Sequence, residues 1–464
     1  MRNIGSMSIL TLRDAIANGQ ISAVDTVQNF LDQIETSQQT LSAFTTVDIQ
    51  GALKQAEVID AKVRRGEKLG PLAGVPVSIK DIIDVEGIAT TGCSRSALDM
   101  VASSDADVVA RLRASDAIII GKANCHEFAF GGPSFDLPFP PARNPWNPQY
   151  FPGGSSSGSG ASVAAGLCFA SIGTDTAGSI RLPSGHCGVV GLTPTYGSIS
   201  MSGIRPLSGS MDHVGPMART VQDCRVVYEC LSNQNATSDN VSKTYSNGDL
   251  RGARFGMAIL EPTLEQRLQA EIRETYRNVG SIAENGGCQV EQVHLPSLHL
   301  IHAAASVVMM AEVAANYAKS VRARYQDFGA AFRLRSLAGE CVGKDDYQLA
   351  SSLRNELYLA MKKLFEQVDF VALPVSLKVP GKLTEVDRFY FLGDLNINIL
   401  ANFLHLPTVT LPCGLSNEGL PIGIQIVGRR GSEVSLLNIA EGLERHINFK
   451  PLTADSVRST MLRK

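Results

Sequence analysis

Helices and strands alternate along this chain, which predicts an α/β fold built on a mixed or parallel sheet. Three observations carry that reading. Apolar residues recur at helical spacing over 8–35, β-branched runs bounded by Gly and Pro begin at Leu72, and 464 residues with 44% hydrophobic content are enough to bury a large core. Length alone allows one large domain or two to four ordinary ones.

The elements follow in order. Leu10, Leu12, Ala15 and Ile16, then Val24, Val27, Phe30, Leu31 and Ile34, predict two amphipathic helices, with Gly19 and Ser22 as break and cap. Gly-Val-Pro-Val-Ser-Ile-Lys-Asp-Ile-Ile-Asp (74–84) predicts a short buried strand over Val77–Ile83. Asp107 to Arg113 reads as helix and Ala117 to Gly121 as strand. Residues 131–154, rich in Gly and Pro and holding the lone Trp146, predict a long ordered loop. Ala161 to Ala170 reads as a buried helix of small residues. The polar stretch 232–250 (Asn233, Asn235, Ser238, Asn240, Ser242, Ser246) reads as a surface excursion within one domain. Residues 262–285 and 301–366 are helical in pattern, Val368–Val375 is a strand, and Thr408–Pro412 and Leu420–Val427 are late strands rejoining the sheet. No internal repeat or heptad run is present.

Composition narrows the function. A formal charge of −3 with no basic block gives no electrostatic reason to expect nucleic acid. Nine cysteines without a C-x-x-C pair suggest neither a disulfide framework nor a zinc site, and point to a reducing cytoplasm. Met1 to Gln20 lacks the pattern of a signal peptide, and no uninterrupted apolar run approaches the roughly 20 residues of a membrane span.

The chemistry concentrates in two small-residue loops, Gly-Gly-Ser-Ser-Ser-Gly-Ser-Gly (153–160) and Gly-Thr-Asp-Thr-Ala-Gly-Ser-Ile-Arg (173–181). Turns of this kind aim successive backbone N–H groups at an anion or a developing oxyanion, and a serine beside them is a candidate nucleophile. By composition alone the first loop is a flexible linker, but the apolar segment and second loop that follow argue for a site. Gly154 to Gly158 also fits G-x-S-x-G around Ser156, yet the strand that a nucleophile elbow needs before it is missing at Tyr150–Gly153. The eight histidines (126, 186, 213, 294, 299, 302, 405, 446) are scattered. Lys80, inside an apolar strand, offers another base, because lost solvation lowers a lysine pKa. Its bland alternative is a pair with Asp81, although strand alternation sets the two on opposite faces.

Together, Lys80 in Val-Ser-Ile-Lys-Asp, Ser155 in Gly-Gly-Ser-Ser, Ser179 in its loop, Cys187-Gly-Val-Val-Gly-Leu and Pro194-Thr-Tyr-Gly closely resemble the amidase signature family of hydrolases. The likeness runs from Leu72 through Asp212-His-Val-Gly-Pro-Met-Ala-Arg-Thr and resumes over Leu406 to Gly428. It implies a single α/β domain with a central mixed, twisted sheet covered by helices on both faces. Within it, 1–70 is a helical portion, 71–230 the signature core, 231–400 a variable, largely helical substrate side, and 401–464 the closing strands and helix.

The resemblance further implies Ser179 as nucleophile, Ser155 as bridging serine held through a cis peptide, and Lys80 as general base. Backbone N–H groups of Thr176, Ala177, Gly178 and Ser179 would form the oxyanion hole, with Ser156, Asp175 and Arg181 supporting. No metal or organic cofactor is implied. The expected substrate is a small-molecule amide, with carbamates, ureas and esters as further possibilities; neither nucleic acid nor membrane is expected, and a homodimer is left open. Departures from the family are Ala177 for glycine, Ser157 and Gly160 in the serine loop, His186 at an apolar position and Thr193 for lysine. A polar substrate contact and a structural hydrogen bond are both open for His186. Met309, Met310, Tyr317, Tyr325, Phe389 and Tyr390 are pocket or core candidates. The second functional reading is the glutaminase subunit of a tRNA-dependent amidotransferase, which Thr193 and Met201-Ser-Gly fit less well.

Overall fold

The computed structural model describes residues 4–233, 245, 248–387, 395–453 and 456–457. Asn235, Ser238, Asn240, Ser242, Ser246, Phe389 and Tyr390 lie outside them. The N-terminal apolar spacing folds into α1 (Ile9–Ala17) and α2 (Ala23–Leu41), and Ser22 caps the second by accepting from the Asp25 N–H at 3.2 Å. Next come β1 (Phe44–Val47), α3 (Ile49–Arg64), β2 (Pro76–Lys80), α4 (Asp107–Ala114) and β3 (Ile118–Ala123). The core continues through α5 (Ser157–Ala164), β4 (Ala170–Asp175), α6 (Arg181–Cys187), β5 (Val190–Thr193), β6 (His213–Ala218) and α7 (Val221–Leu231). A helix-rich stretch holds β7 (Arg254–Ile259), α8 (Pro262–Glu265), α9 (Ala270–Asn285), β8 (Gln289–His294), α10 (Leu298–Ala323), α11 (Ala330–Ala338), α12 (Lys344–Gln367) and β9 (Phe370–Pro374). The chain closes with α13 (Ile399–Phe403), β10 (Thr408–Leu415), β11 (Pro421–Val427) and α14 (Glu433–Ile447).

All strands among the described residues join one 11-stranded sheet in the order β1-β3-β2-β4-β6-β5-β10-β11-β9-β7-β8. It is mixed: β2 runs parallel to β3 and β4, and β7 parallel to β8 and β9, while every other neighbour is antiparallel. Helices pack on both faces. Gly191 of β5 turns toward α6 so closely that a Cβ there would come within 2.2 Å of Ser184 Oγ, while alternation sends Val190 and Leu192 to the other face, where α7 packs.

Two expectations need correction. The helix expected over Ala161–Ala170 stops at Ala164, because the Leu167 N–H returns to Ser162 O and the chain turns into β4. The strand expected over Val77–Ile83 ends at Lys80, where the Ile82 and Ile83 N–H groups both turn back to Lys80 O. One described helix, α10, is long and apolar enough to cross a bilayer, with a mean hydropathy of 1.6. It packs instead against α11 and α12, with Ile301, Ala305, Val308 and Val313 fully buried.

Candidate active site

Strand alternation separates the two charges at the end of β2. Lys80 is fully buried; its Nζ donates to Ser155 Oγ at 2.8 Å and to Thr174 Oγ1 at 2.8 Å. Asp81 points the other way and pairs with Lys122 of β3, Nζ to Oδ1 3.1 Å, while accepting from the Thr91 N–H and hydroxyl. The bland Lys80–Asp81 pair is therefore absent. Burial pushes the Lys80 ammonium down to about 8, so a useful fraction is neutral just above neutrality.

Ser155 follows a cis peptide from Gly154 and is itself buried. Its carbonyl accepts from the His126 N–H at 3.0 Å, which pins the loop to the segment after β3. Ser156 is tied down elsewhere, its Oγ donating to Thr174 O at 3.1 Å and accepting from the Thr174 N–H at 3.3 Å. The Ser156 N–H in turn donates to Ser179 O at 3.2 Å, joining the two loops through the backbone. Ser179 sits just before α6 and stays 9% exposed, unlike Ser155 at 1%. The geometry thus holds the Lys80–Ser155 contact as a hydrogen bond and ties Ser179 to the adjoining Ser156 through the backbone, without a direct bond between the Ser155 and Ser179 hydroxyls.

The loop before α6 is held by a buried ion pair. Asp175 accepts from the Gly178 N–H at 2.6 Å and the Ile180 N–H at 3.0 Å, and Arg181 grips it through Nε at 3.1 Å and Nη2 at 3.0 Å. Burial raises the Asp175 carboxyl, but the Arg181 guanidinium and these donors outweigh it and hold the group far below the ordinary carboxylate range. Thr193, the departure from lysine, adds its hydroxyl to the same carboxylate at 3.0 Å. Arg181 also donates to Asn398 O at 2.6 Å, to Gln425 Oε1 at 2.9 Å and to Asn402 Oδ1.

That network corrects the expected oxyanion donors. The Gly178 N–H is engaged with Asp175, whereas the N–H groups of Thr176, Ala177 and Ser179 have no acceptor among the described residues. Gly178 has φ of +108°, and a Cβ there would lie 2.6 Å from that of Asn398, so glycine is required. Thr176 is anchored by its hydroxyl to Asp212 Oδ1 at 2.6 Å, and Ala177 O accepts from Asn396 Nδ2 at 2.5 Å.

Sequence reasoning missed Thr174, Asp212, Asn396, Asn398, Asn402 and Gln425. The signal available was polar residues inside apolar runs: Asn398 and Asn402 are buried around the apolar turn Ile399–Phe403, and buried polar side chains require partners. No histidine hydrogen-bonds to Ser155 or Ser179 through its ring. His213 and His126 are pushed down by burial to about 4 and about 3. His126 stacks on Phe151, and its Nδ1 lies 3.1 Å from Gly131 O.

A cavity of about 910 Å³ abuts the loop at Asn396 and Asn398 and extends along Leu182 and His186 of α6. None of the expected wall residues that the structure describes lines it: Met309 and Tyr317 belong to the core region, and Tyr325 is 39% exposed beneath Arg333. Met310 packs against the same core.

Comparison with known proteins gives a consistent picture. The family model described as Amidase matches residues 25–437. A glutamyl-tRNA(Gln) amidotransferase subunit from Alkaliphilus metalliredigens (strain QYMF) is 34% identical, covering 96% of this chain and 97% of its own. A solved structure described as an amidase is 30% identical with a TM-score of 0.85, covering 95% and 99% of the two chains. A chain from a vestigial complex bearing on the origins of an s-triazine catabolic enzyme is 27% identical with a TM-score of 0.88, covering 96% and 100%.

Proposed function

The chain belongs to the amidase signature family, and on that premise we propose that it cleaves a carboxamide through an acyl-enzyme on Ser179. The observation that carries the reading is the buried Lys80 Nζ on Ser155 Oγ at 2.8 Å, an amine that burial leaves partly neutral near pH 8 and that no carboxylate hydrogen-bonds. Neutral Lys80 takes a proton through Ser155 as Ser179 Oγ attacks the carbonyl carbon. The free N–H groups of Thr176, Ala177 and Ser179 receive the oxyanion; losing one such donor typically costs about 3 kcal/mol. The relay then runs backwards, protonating the departing nitrogen, and water releases the acid.

Two readings of the amide are supported by different observations. The curated relatives favour the glutaminase reading that the sequence placed second: ammonia drawn from glutamine and passed to a protein partner. The solved amidase and the size of the cavity beside α6 support a freestanding enzyme acting on a larger amide. Ammonia release from glutamine and from aryl and aliphatic primary amides, measured with and without proteins that co-purify, separates them. Glutamine turnover that rises on adding a co-purifying partner supports the first; turnover of larger amides by the isolated chain supports the second. No release from any amide by the isolated chain or the complex would overturn the proposal.

A further inference from the structure

We infer that His186 reads a neutral hydrogen-bonding group on the body of an extended amide substrate, in the cavity that runs along α6 away from Ser179. The inference rests on the acyl-enzyme reading for the direction of the substrate, and on observations of its own for the rest.

His186 lines the cavity together with Leu182, four residues earlier and so on the same face of α6. The residue is 7% exposed, yet neither Nδ1 nor Nε2 of its ring has a hydrogen-bond partner. Buried polar atoms in folded proteins are nearly always paired. Here the protein supplies no partner, and the residue lines the cavity. The structural hydrogen bond open from the sequence is thus absent from the ring; only the His186 backbone carbonyl is engaged, by Asn144 Nδ2 at 2.9 Å.

The character of the missing group follows from the ring. Burial pushes the imidazole down to about 3, so near pH 7 it is neutral, with one donor and one acceptor. A hydroxyl or a carboxamide can donate or accept and so pairs with whichever ring nitrogen it meets; a carboxylate pairs only with the donor and an ammonium only with the acceptor. Phe151, edge-on to the ring at 6.1 Å, and Leu182 and Val375 supply apolar surface for the body that carries this group.

Position and size set the length. At about 1.5 Å per helical residue, His186 lies roughly 10 Å along the chain direction from Ser179. A cavity of about 910 Å³ is of the size that holds drug-sized ligands, and glutamine alone would fill a small part of it. The substrate class is therefore a primary amide whose apolar or aryl body ends in a hydroxyl or second amide, well removed from the scissile carbonyl.

The test uses the full chain and the matched pair 4-(4-hydroxyphenyl)butanamide and 4-phenylbutanamide. Binding is measured by calorimetry on S179A, and turnover as ammonia release by the unmodified protein. The hydroxylated amide is expected to bind S179A about tenfold more tightly, the scale on which a site built for a polar group rejects its absence. H186F in the same background should erase that preference, with H186Q restoring part of it. In the active protein, H186F should raise KM for the hydroxylated amide by a larger factor than for the apolar one; H186L serves if H186F does not fold. A preference that survives H186F and H186L, a loss of kcat on both amides alike, or failure of both amides to bind S179A would overturn the inference. Binding with the His186-dependent preference but no turnover would instead sink the acyl-enzyme reading and leave the role of His186 standing.

Discussion

Two lysines lie on neighbouring strands, and only Lys122 has a carboxylate against it. Lys80 should therefore set the pH dependence. Below pH 8 it is charged and cannot accept a proton, so kcat/KM is expected to rise with pH through a midpoint near 8; a profile already flat at pH 6 would count against lysine as base. The same burial costs stability. The unfolded lysine titrates at 10.5 and the folded one at about 8, so the folded state binds fewer protons between these values and stability rises with pH across that window. The cost, about 3 kcal/mol, is complete below pH 8. Lys80→Met removes it but leaves Ser155 and Thr174 without their donor, which takes back about 1–2 kcal/mol. A net gain of about 1–2 kcal/mol at pH 6 that shrinks toward pH 10 should appear in urea titrations. Ser179→Ala makes a simpler case, since its hydroxyl has no partner among the described residues: stability should change by less than about 0.5 kcal/mol. A fluorophosphonate adduct should map to Ser179 and vanish in the variant; an adduct on Ser156 would restore the elbow reading. Lys80 and the two serines were legible because reactive residue types stood in contexts that are chemically costly for them.

At the scale of the element, the start of α6 is a short loop fixed by one carboxylate with many donors. The sequence assigned Asp175 and Arg181 to bracing, and the contacts agree with that role. Their other partners come from Asn398, Asn402 and Gln425, more than 200 residues away, a juxtaposition that no local pattern encodes. Arg181→Met leaves Asp175 charged and buried with no cation, which should cost about 3–5 kcal/mol. Asp175→Asn in the same chain should recover part of that loss, because the unpaired charge is gone. Chemical denaturation of the two single variants and the double variant gives the coupling directly; additive losses would show that the pair acts through separate contacts. The Gly178 N–H, expected to face the substrate, was misassigned for the same reason: sequence shows which amides a loop contains but not which one its own carboxylate takes.

Across the whole molecule, the alternation of elements gave the fold class, while the sheet order stayed hidden. Strands β10 and β11, last in the chain, lie between β5 and β9 and complete the middle of the sheet. Such pairing joins residues hundreds of positions apart, Val409 with Leu192 for example, and periodicity carries no information about it. Strands β1, β4, β5, β6 and β8 went unread: β1 and β5 span four residues each, β4 lies where the small-residue segment reads as helix and loop, β6 carries Gly215 and Pro216, and β8 is largely exposed. Local opening should follow this order. Amides of β10 and β11 are expected to exchange with deuterium orders of magnitude more slowly than those of the edge strand β8; equal protection would argue against a central position for the late hairpin. The arrangement at the end of β2 has a last implication, for folding. Lys80 meets Ser155, and Asp81 meets Lys122, only because β2 sits in one register, fixed by an irregularity at Val77–Ser78. A slip by one residue would bury an acid against the serines and strand two lysines on the opposite face. Recovery of catalytic activity on refolding therefore reports the alignment of a single strand, and misaligned but compact chains would be silent in an activity assay.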